Sequence, residues 1–350
     1  MVAADLEACG PVLTLMRKCA VSMETSMSAL PSAAENSSVS GTLALSWLPD
    51  SVLLEVLSFL SIRDLVRSGR VCKRWRTLVM DKTLWRHINL TPYKLDSKTL
   101  WHLVRHKFVP SLQTLKLRGT LRSVKKQEFL TMAVLKEIES RFHNLETLHL
   151  EQTNLHSLSY CHFPSTLKTL QLNQCELPAN WFKTPPNKGR TFPKLEHLFL
   201  NSVPSFSNHH LETICSLSAL KTLSLCGTYR VTDAGIPDSL PHLKGLEHLK
   251  LQGCYISDIT LHLIGCHLKH LQTLALTDVS SVSDAGLACL SSVKTLEKLW
   301  LEYSTHLSLN SIIAVCGKLP ALSYLHLNGT FEGRGIDELK KSLPNCMVTN

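Results

Sequence analysis

Several things are scarce in this 350-residue chain. Aromatic residues make up only 6% and charged residues only 19%, although 44% of the chain is hydrophobic. No run of eighteen apolar residues occurs, so the sequence offers no membrane-spanning helix. The first apolar stretch, Pro11–Met16, follows Asp5 and Glu7 and stops at Arg17-Lys18, a poor signal or transit peptide. The twelve cysteines are scattered singly, with no CxxC pair and no compact zinc spacing. That pattern predicts reduced, mostly packed cysteines in a cytoplasmic or nuclear protein. No GxSxG, P-loop or HExxH motif is present, so no catalytic residue and no cofactor is assigned. His102 and His106 stand four apart, and His209-His210 and Cys161-His162 are adjacent, but none has the further ligands a metal needs, and no metal site is assigned.

What is abundant is leucine, in a fixed frame. LxxLxL recurs at Leu112-Leu115-Leu117, Leu145-Leu148-Leu150, Leu167-Leu170-Leu172, Leu195-Leu198-Leu200 and Leu220-Leu223-Leu225. It continues at Leu246-Leu249-Leu251, Leu271-Leu274-Leu276, Leu296-Leu299-Leu301 and Leu322-Leu325-Leu327. The steps are 33, 22, 28, 25, 26, 25, 25 and 26 residues, with a degenerate frame at Trp85-Ile88-Leu90. Leucines two apart point to the same side of a short strand, and one unit cannot bury them alone. Stacked units can, as a solenoid with a parallel sheet on its concave face and helices on its convex face.

A small residue follows three positions after each pair: Thr120, Thr153, Cys175, Val203, Thr228, Cys254, Val279, Ser304 and Thr330. This column is expected to be buried where the backbone turns. Ser207-Asn208, Thr232-Asp233, Ser257-Asp258, Ser283-Asp284 and Ser308 then read as helix caps. Residues alternating with the leucines should line the concave face. Lys116, Arg118, Phe199, His248, Lys250, Lys298, Trp300, Tyr324 and His326, with Tyr303 just beyond its strand, are therefore the candidate substrate-binding residues. The competing expectation for Trp300 and Tyr324 is that the tail Pro344–Asn350 folds over them as a cap.

Ahead of the repeats lie two other regions. Residues 1–46 are rich in Ser and Ala, with little apolar periodicity, and are expected to form a disordered lead. From Trp47 a helical pattern begins, with Asp50 as N-cap of a helix through Leu60 and a capping box at Ser61 and Asp64. Val71, Cys72, Trp75, Leu78 and Val79 then share one face of a third helix, with Cys72 a packed cysteine. Between Arg63 and Lys126, seventeen Lys and Arg face three acids, a net +14, so the rest of the chain carries −5 of the total +9. Such a block suits an acidic partner surface or nucleic acid. Arg118, Arg122, Lys125 and Lys126, in the 33-residue step, are expected to attract acidic or phosphorylated segments.

The stretch LPDSVLLEVLSFLSIRDLVRSGRVCKRWRTLVMDKTLWRHINL resembles an F-box: Leu48-Pro49, the aliphatic helix to Leu60, Asp64-Leu65, Val71-Cys72-Lys73-x-Trp75 and Leu84-Trp85-Arg86 come in order. With the cysteine-containing repeats, the chain resembles the F-box/leucine-rich-repeat family over residues 47–350. The resemblance implies an α/β fold, a three-helix F-box at 47–90 and a horseshoe of about nine repeats with a C-terminal cap at 91–350. It implies a non-enzymatic substrate receptor of an SCF ubiquitin ligase, partnered by the Skp adaptor, a cullin-RING scaffold and protein substrates. Carried over by position, the adaptor contacts would be Leu48, Pro49, Leu53, Leu57, Leu60, Leu65, Val71, Cys72 and Trp75, about half of them by side-chain contact. Two alternatives stay open. One is a nucleic-acid-binding repeat protein using the basic block, although aromatics are not interleaved with it. The other is a repeat scaffold of ribonuclease-inhibitor type, which needs no F-box.

Overall fold

The structure is a computed structural model that describes residues 47–121, 129–183, 192–279, 281–304, 306–331 and 334–350. The expected lead at 1–46, and Arg122, Lys125 and Lys126, lie outside the described residues. The chain divides into two compact units, one ending at Leu90 and one spanning Thr91–Asn350.

The first unit has three short helices, α1 (Asp50–Ser58), α2 (Ile62–Ser68) and α3 (Lys73–Val79), then a 3-10 turn at Lys82–Trp85 and the strand β1 (His87–Asn89). Its core is Leu53, Val56, Leu57, Leu65, Trp75, Leu78, Val79, Trp85, Ile88 and Leu90. The N-cap of α1 is Pro49, not Asp50. Proline has no N–H to lose there, and Asp50 becomes the first helical residue, where a carboxylate favours the positive end of the helix dipole. That carboxylate accepts from Arg74 Nη2 and Nε at 2.6 and 2.8 Å. Ser61 caps α2 as expected, accepting from Asp64 N at 3.2 Å and donating to the Asp64 carboxylate at 2.7 Å.

In the second unit each leucine frame forms one strand: β2 (Thr114–Arg118), β3 (Thr147–Glu151), β4 (Thr169–Asn173), β5 (His197–Asn201), β6 (Thr222–Cys226), β7 (His248–Gln252), β8 (Thr273–Thr277), β9 (Lys298–Glu302) and β10 (Tyr324–His326). All pair in parallel and in one register, Leu115↔Leu148↔Leu170↔Leu198↔Leu223↔Leu249↔Leu274↔Leu299↔Leu325. Every one of these leucines is buried. At about 1.5–3 kcal/mol per fully buried leucine, the periodic pattern dominates the stability of the array. The tail adds β11 (Met347–Thr349) beside β10, continuing the sheet with Leu325↔Val348.

Helices α4 (Ser97–His106), α5 (Met132–Arg141), α6 (Asn208–Ile214), α7 (Ile236–Ser239), α8 (Asp258–His267), α9 (Asp284–Cys289), α10 (Leu309–Cys316) and α11 (Arg334–Ser342) return the chain between strands. Strands stack about 4.8 Å apart, whereas a helix with its side chains is about 10–12 Å across, so the sheet takes the inner side of the curve. Between β3 and β5, among the described residues, no α-helix forms. Tyr160, Phe163, Trp181, Phe182, Phe192 and Phe206 pack there instead, with ring centroids 4.7–6.5 Å apart. Six of the chain's large rings thus fill the place where helices are missing. His210 stacks on Phe206 and is buried; its Nδ1 accepts from Ser207 N at 3.2 Å and its Nε2 donates to Pro178 O at 3.0 Å. Burial holds its pKa below the usual histidine value.

Two devices terminate and join the repeats. The residue two positions after each second strand leucine from β3 to β10 is left-handed: Gln152, Gln174, Ser202, Gly227, Gly253, Asp278, Tyr303 and Gly329, with φ between 49° and 69°. This turn, one residue before the small column, ends each strand. The small side chain then tucks beneath the strand, where Cys175 Sγ reaches Leu150 O at 3.4 Å and Thr330 Oγ1 donates to Leu301 O at 2.8 Å. The column is buried from Thr153 to Ser304, but Thr120 is exposed and Thr330 half-buried, because the array ends there.

The second device is a ladder between repeats. Asn208 Oδ1 accepts from Thr232 N at 2.9 Å, Asp233 Oδ1 from Ser257 N at 3.0 Å, Asp258 Oδ1 from Ser283 N at 2.7 Å, and Asp284 Oδ1 from Ser308 N at 2.8 Å. Ser207, Ser257 and Ser283 cap their own helices, whereas the expected cap at Thr232-Asp233 is not one, because α7 begins at Ile236 with Gly235 as its N-cap; the Asn or Asp of each pair clamps the next repeat. Desolvation raises the Asp233 pKa, but hydrogen bonds from Ser257 and Thr260 outweigh it and hold the carboxyl below its ordinary value. The Ser308 hydroxyl and N–H depress Asp284 likewise.

All ten described cysteines are free thiols. Cys175, Cys254 and Cys316 are buried, with desolvation pushing Cys175 up to about 11 and Cys316 up to about 12. The expectation of mostly packed cysteines does not hold: Cys72 and Cys266 are exposed and the other five are half-buried.

Candidate docking surfaces of the two units

In the first unit, the nine residues marked by position fall into two groups. Leu53, Leu57, Leu65 and Trp75 are buried in the unit's own core. Pro49, Val71 and Cys72 are exposed, and Leu48 and Leu60 are half-buried. Val71 and Cys72 do not share the buried face of the third helix, because α3 starts at Lys73 and they precede it. Cys72 is its N-cap, and Trp75 N donates to Cys72 Sγ at 3.4 Å. A packed role for Cys72 is therefore overturned.

Large apolar side chains that position alone did not mark are exposed here. Trp47 is 79% exposed, Phe59 and Met80 each 70% and Val66 46%, beside the marked Val71 at 50%. The sequence held a signal for two of them. Leu65-Val66 and Val79-Met80 are adjacent apolar residues in or beside helices, and neighbours about 100° apart on a helix cannot both face a narrow core. Five of the eleven large hydrophobics exposed among the described residues thus fall within the 44 described residues of the first unit. Such a concentration makes these side chains the unit's candidate docking surface.

On the sheet of the second unit, none of the ten candidate substrate-binding residues is buried. Lys116, Phe199, Lys250, Trp300 and His326 share the central row, and His248, Lys298 and Tyr324 share the row before it. Arg118 closes β2, with its Nε 3.1 Å from Gln152 Oε1 and 3.6 Å from Glu151 Oε1. Tyr303 does not lie on a strand but in the left-handed turn after β9, more than half exposed. The Trp300 and Tyr324 rings are 5.2 Å apart, and Tyr324 stacks on His326 at 6.5 Å. The tail lies beside Tyr324 as β11, where Thr349 Oγ1 donates to Tyr324 Oη at 3.0 Å and contacts His326 Nδ1 at 2.8 Å. It extends the sheet edge-on.

His149 belongs to the same row and was not singled out by sequence. Both its ring nitrogens are buried without a hydrogen-bond partner. Desolvation, helped by Lys116, keeps its pKa low.

Among the described residues, no group of three or more His, Cys, Asp or Glu could hold a metal ion, and no helix is long and apolar enough to cross a membrane.

Comparison with known proteins agrees with this division. Residues 45–91 match the F-box-like family model. Human F-box/LRR-repeat protein 12 is 38% identical over 308 residues, covering 86% of this chain and 94% of that protein. The chain belongs to the F-box/LRR-repeat family. The mouse protein of the same name is 36% identical over the same coverage. Among solved structures, the yeast Rad7 and Elc1 complex is similar at 15% identity with a TM-score of 0.43, over 73% of this chain and 71% of that one.

Proposed function

We propose that this F-box/LRR-repeat protein is the substrate-recognition subunit of an SCF ubiquitin ligase. The F-box docks on the Skp adaptor, the cullin-RING scaffold follows through the adaptor, and the repeat sheet holds protein substrates for ubiquitination and degradation. The observation that carries this reading is the exposed apolar set Trp47, Phe59, Val66, Val71 and Met80 on a matched F-box. Burying those side chains against an adaptor removes from water the apolar surface that this small unit leaves uncovered. Leu48, Pro49 and Leu60 are only partly covered or exposed and can join that contact. Leu53, Leu57, Leu65 and Trp75 act by holding the helices in place. Ligase chemistry belongs to the other subunits, and this chain contributes binding.

The test is affinity purification of the tagged full chain from cells, scored for Skp adaptor and cullin. Replacing Leu48 and Pro49 together by Ala should reduce adaptor and cullin recovery several-fold at unchanged circular dichroism. Normal cullin recovery by the doubly substituted chain would remove the assignment.

A further inference from the structure

The central row of the sheet is uneven between β5 and β9. It reads Phe199, Ser224, Lys250, Ala275, Trp300 across five paired strands. With strands about 4.8 Å apart, the two aromatic residues stand roughly 19 Å from each other. The short side chains of Ser224 and Ala275 leave the floor between them low. The result is a hollow of about 280 Å³ whose walls include Phe199, Trp300 and His248, with Lys250 at its middle.

The two charged side chains that line the hollow, Lys250 and Glu302, are not paired with each other. Several other cations of the array are paired: Lys168 with Glu146 at 2.8 Å, Lys221 with Glu196 at 3.2 Å and Arg105 with Glu137 at 3.4 Å. The side chain of Lys250, a half-buried residue, has no ion pair or hydrogen bond among the described residues. The acid at the hollow's edge, Glu302, is engaged by Thr277 Oγ1 at 3.1 Å and His326 Nε2 at 3.5 Å. His248 on the same strand lines the hollow too and adds no negative charge. An ammonium partly removed from water between aromatic walls is stabilised by an anion that reaches it, and such a charge-assisted hydrogen bond is stronger than a neutral one.

Resting on the receptor reading above, we infer that this hollow takes an acidic peptide segment of the substrate. An anionic side chain meets Lys250, and an apolar neighbour packs on Phe199 or Trp300. A carboxylate and a phosphate would both satisfy Lys250, and the test separates them.

The purified full chain is offered arrayed degenerate peptides with a fixed central Glu, phosphoserine, Lys or Ala. Each centre is flanked either by Leu, Phe and Trp or by Gly and Ser. Glu- or phosphoserine-centred peptides with apolar flanks should be retained at least ten-fold above Ala-centred ones, and the better of the two names the anion. Lys250→Glu should abolish that preference and favour Lys-centred peptides, while Phe199→Ala should flatten the preference for apolar flanks. Both side chains lie on the exposed sheet face, so the melting temperature should stay unchanged. Equal retention of Ala- and anion-centred peptides, no retention at all, or an anion preference that survives in the folded Lys250→Glu chain would each overturn the inference. Adaptor recovery from the same preparations is a separate readout. Its loss would sink the receptor reading without altering the peptide preference.

Discussion

The two units bury apolar surface in different ways. The array repeats one solution: each strand leucine is covered by its own repeat and by the next, and the sheet face between the leucines is largely polar. The F-box unit has helices of only seven to nine residues, which cannot enclose all of their apolar side chains. Its surplus remains at the surface as Trp47, Phe59, Val66, Val71 and Met80. The difference teaches that a regular core can be extended by adding repeats, whereas a minimal module leaves apolar surface for another chain to cover. It also separates two kinds of substitution, those that destroy a unit and those that only uncouple it from a partner.

The largest effects should come from cores. Trp75 is 8% exposed and central to the F-box unit, so Trp75→Ala should cost about 3–5 kcal/mol. Limited proteolysis should then cut within residues 47–90 while the array resists. Leu274 is fully buried, and Leu274→Ala should cost about 2–5 kcal/mol in the array. Its signature is a lower urea midpoint for the array with adaptor recovery kept. Adaptor loss on Leu274→Ala would mean that the two units do not fail separately.

A smaller effect should come from the ladder between repeats. Asp233→Ala removes an acceptor from Ser257 N and from Thr260 Oγ1, and should cost about 1–3 kcal/mol. The same carboxylates give the array a pH dependence. Asp233 and Asp284 have folded-state pKa values below their unfolded ones, so their contribution is fully present above the unfolded carboxyl value of about 4. It is lost as pH falls through the folded values. Urea midpoints for the parent should therefore drop below pH 4, and the drop should shrink in the chain carrying Asp233→Ala and Asp284→Ala. An acid-induced loss that is unchanged in that variant would assign it to other groups.

Periodic features were the legible ones. The strand leucines, their register and most of the buried small column follow from spacing, because a period-2 strand in a repeat leaves one arrangement that buries every leucine. The left-handed turn was less visible: Gly227, Gly253 and Gly329 point to it, but Gln152, Gln174, Ser202, Asp278 and Tyr303 occupy the same place without a residue type that announces it. The Asn and Asp of the ladder could be read as caps because their geometric role lies in the next repeat, 24–27 residues on. In the F-box, matching by position named Leu53, Leu57, Leu65 and Trp75, which are buried, and did not name Phe59 and Met80, which are exposed. With single short helices, the side facing the core and the side facing outward are equally apolar in sequence, and only packing tells them apart.

The smallest effects on stability should be the most informative about function, since they sharpen the comparison without breaking either unit. Phe59 is 70% exposed just beyond α1, and Trp300 is a half-buried side chain on the open sheet face. Surface substitutions of this kind usually stay within about 0.5 kcal/mol, although Trp300→Ala also gives up the ring contact with Tyr324, worth about 0.5–1.5 kcal/mol beyond area burial. Phe59→Asp places a charge where the adaptor would bury a ring and should reduce adaptor and cullin recovery at least ten-fold, with substrate capture by the purified chain unchanged. Trp300→Ala should do the reverse, weakening substrate capture while adaptor recovery and the melting temperature stay nearly constant. If Trp300→Ala lowers the melting temperature as much as Leu274→Ala does, the ring belongs to the core. If either variant impairs both partners equally, the assignment of one partner to each unit fails, because a surface change on one unit has no reason to disturb a contact made by the other.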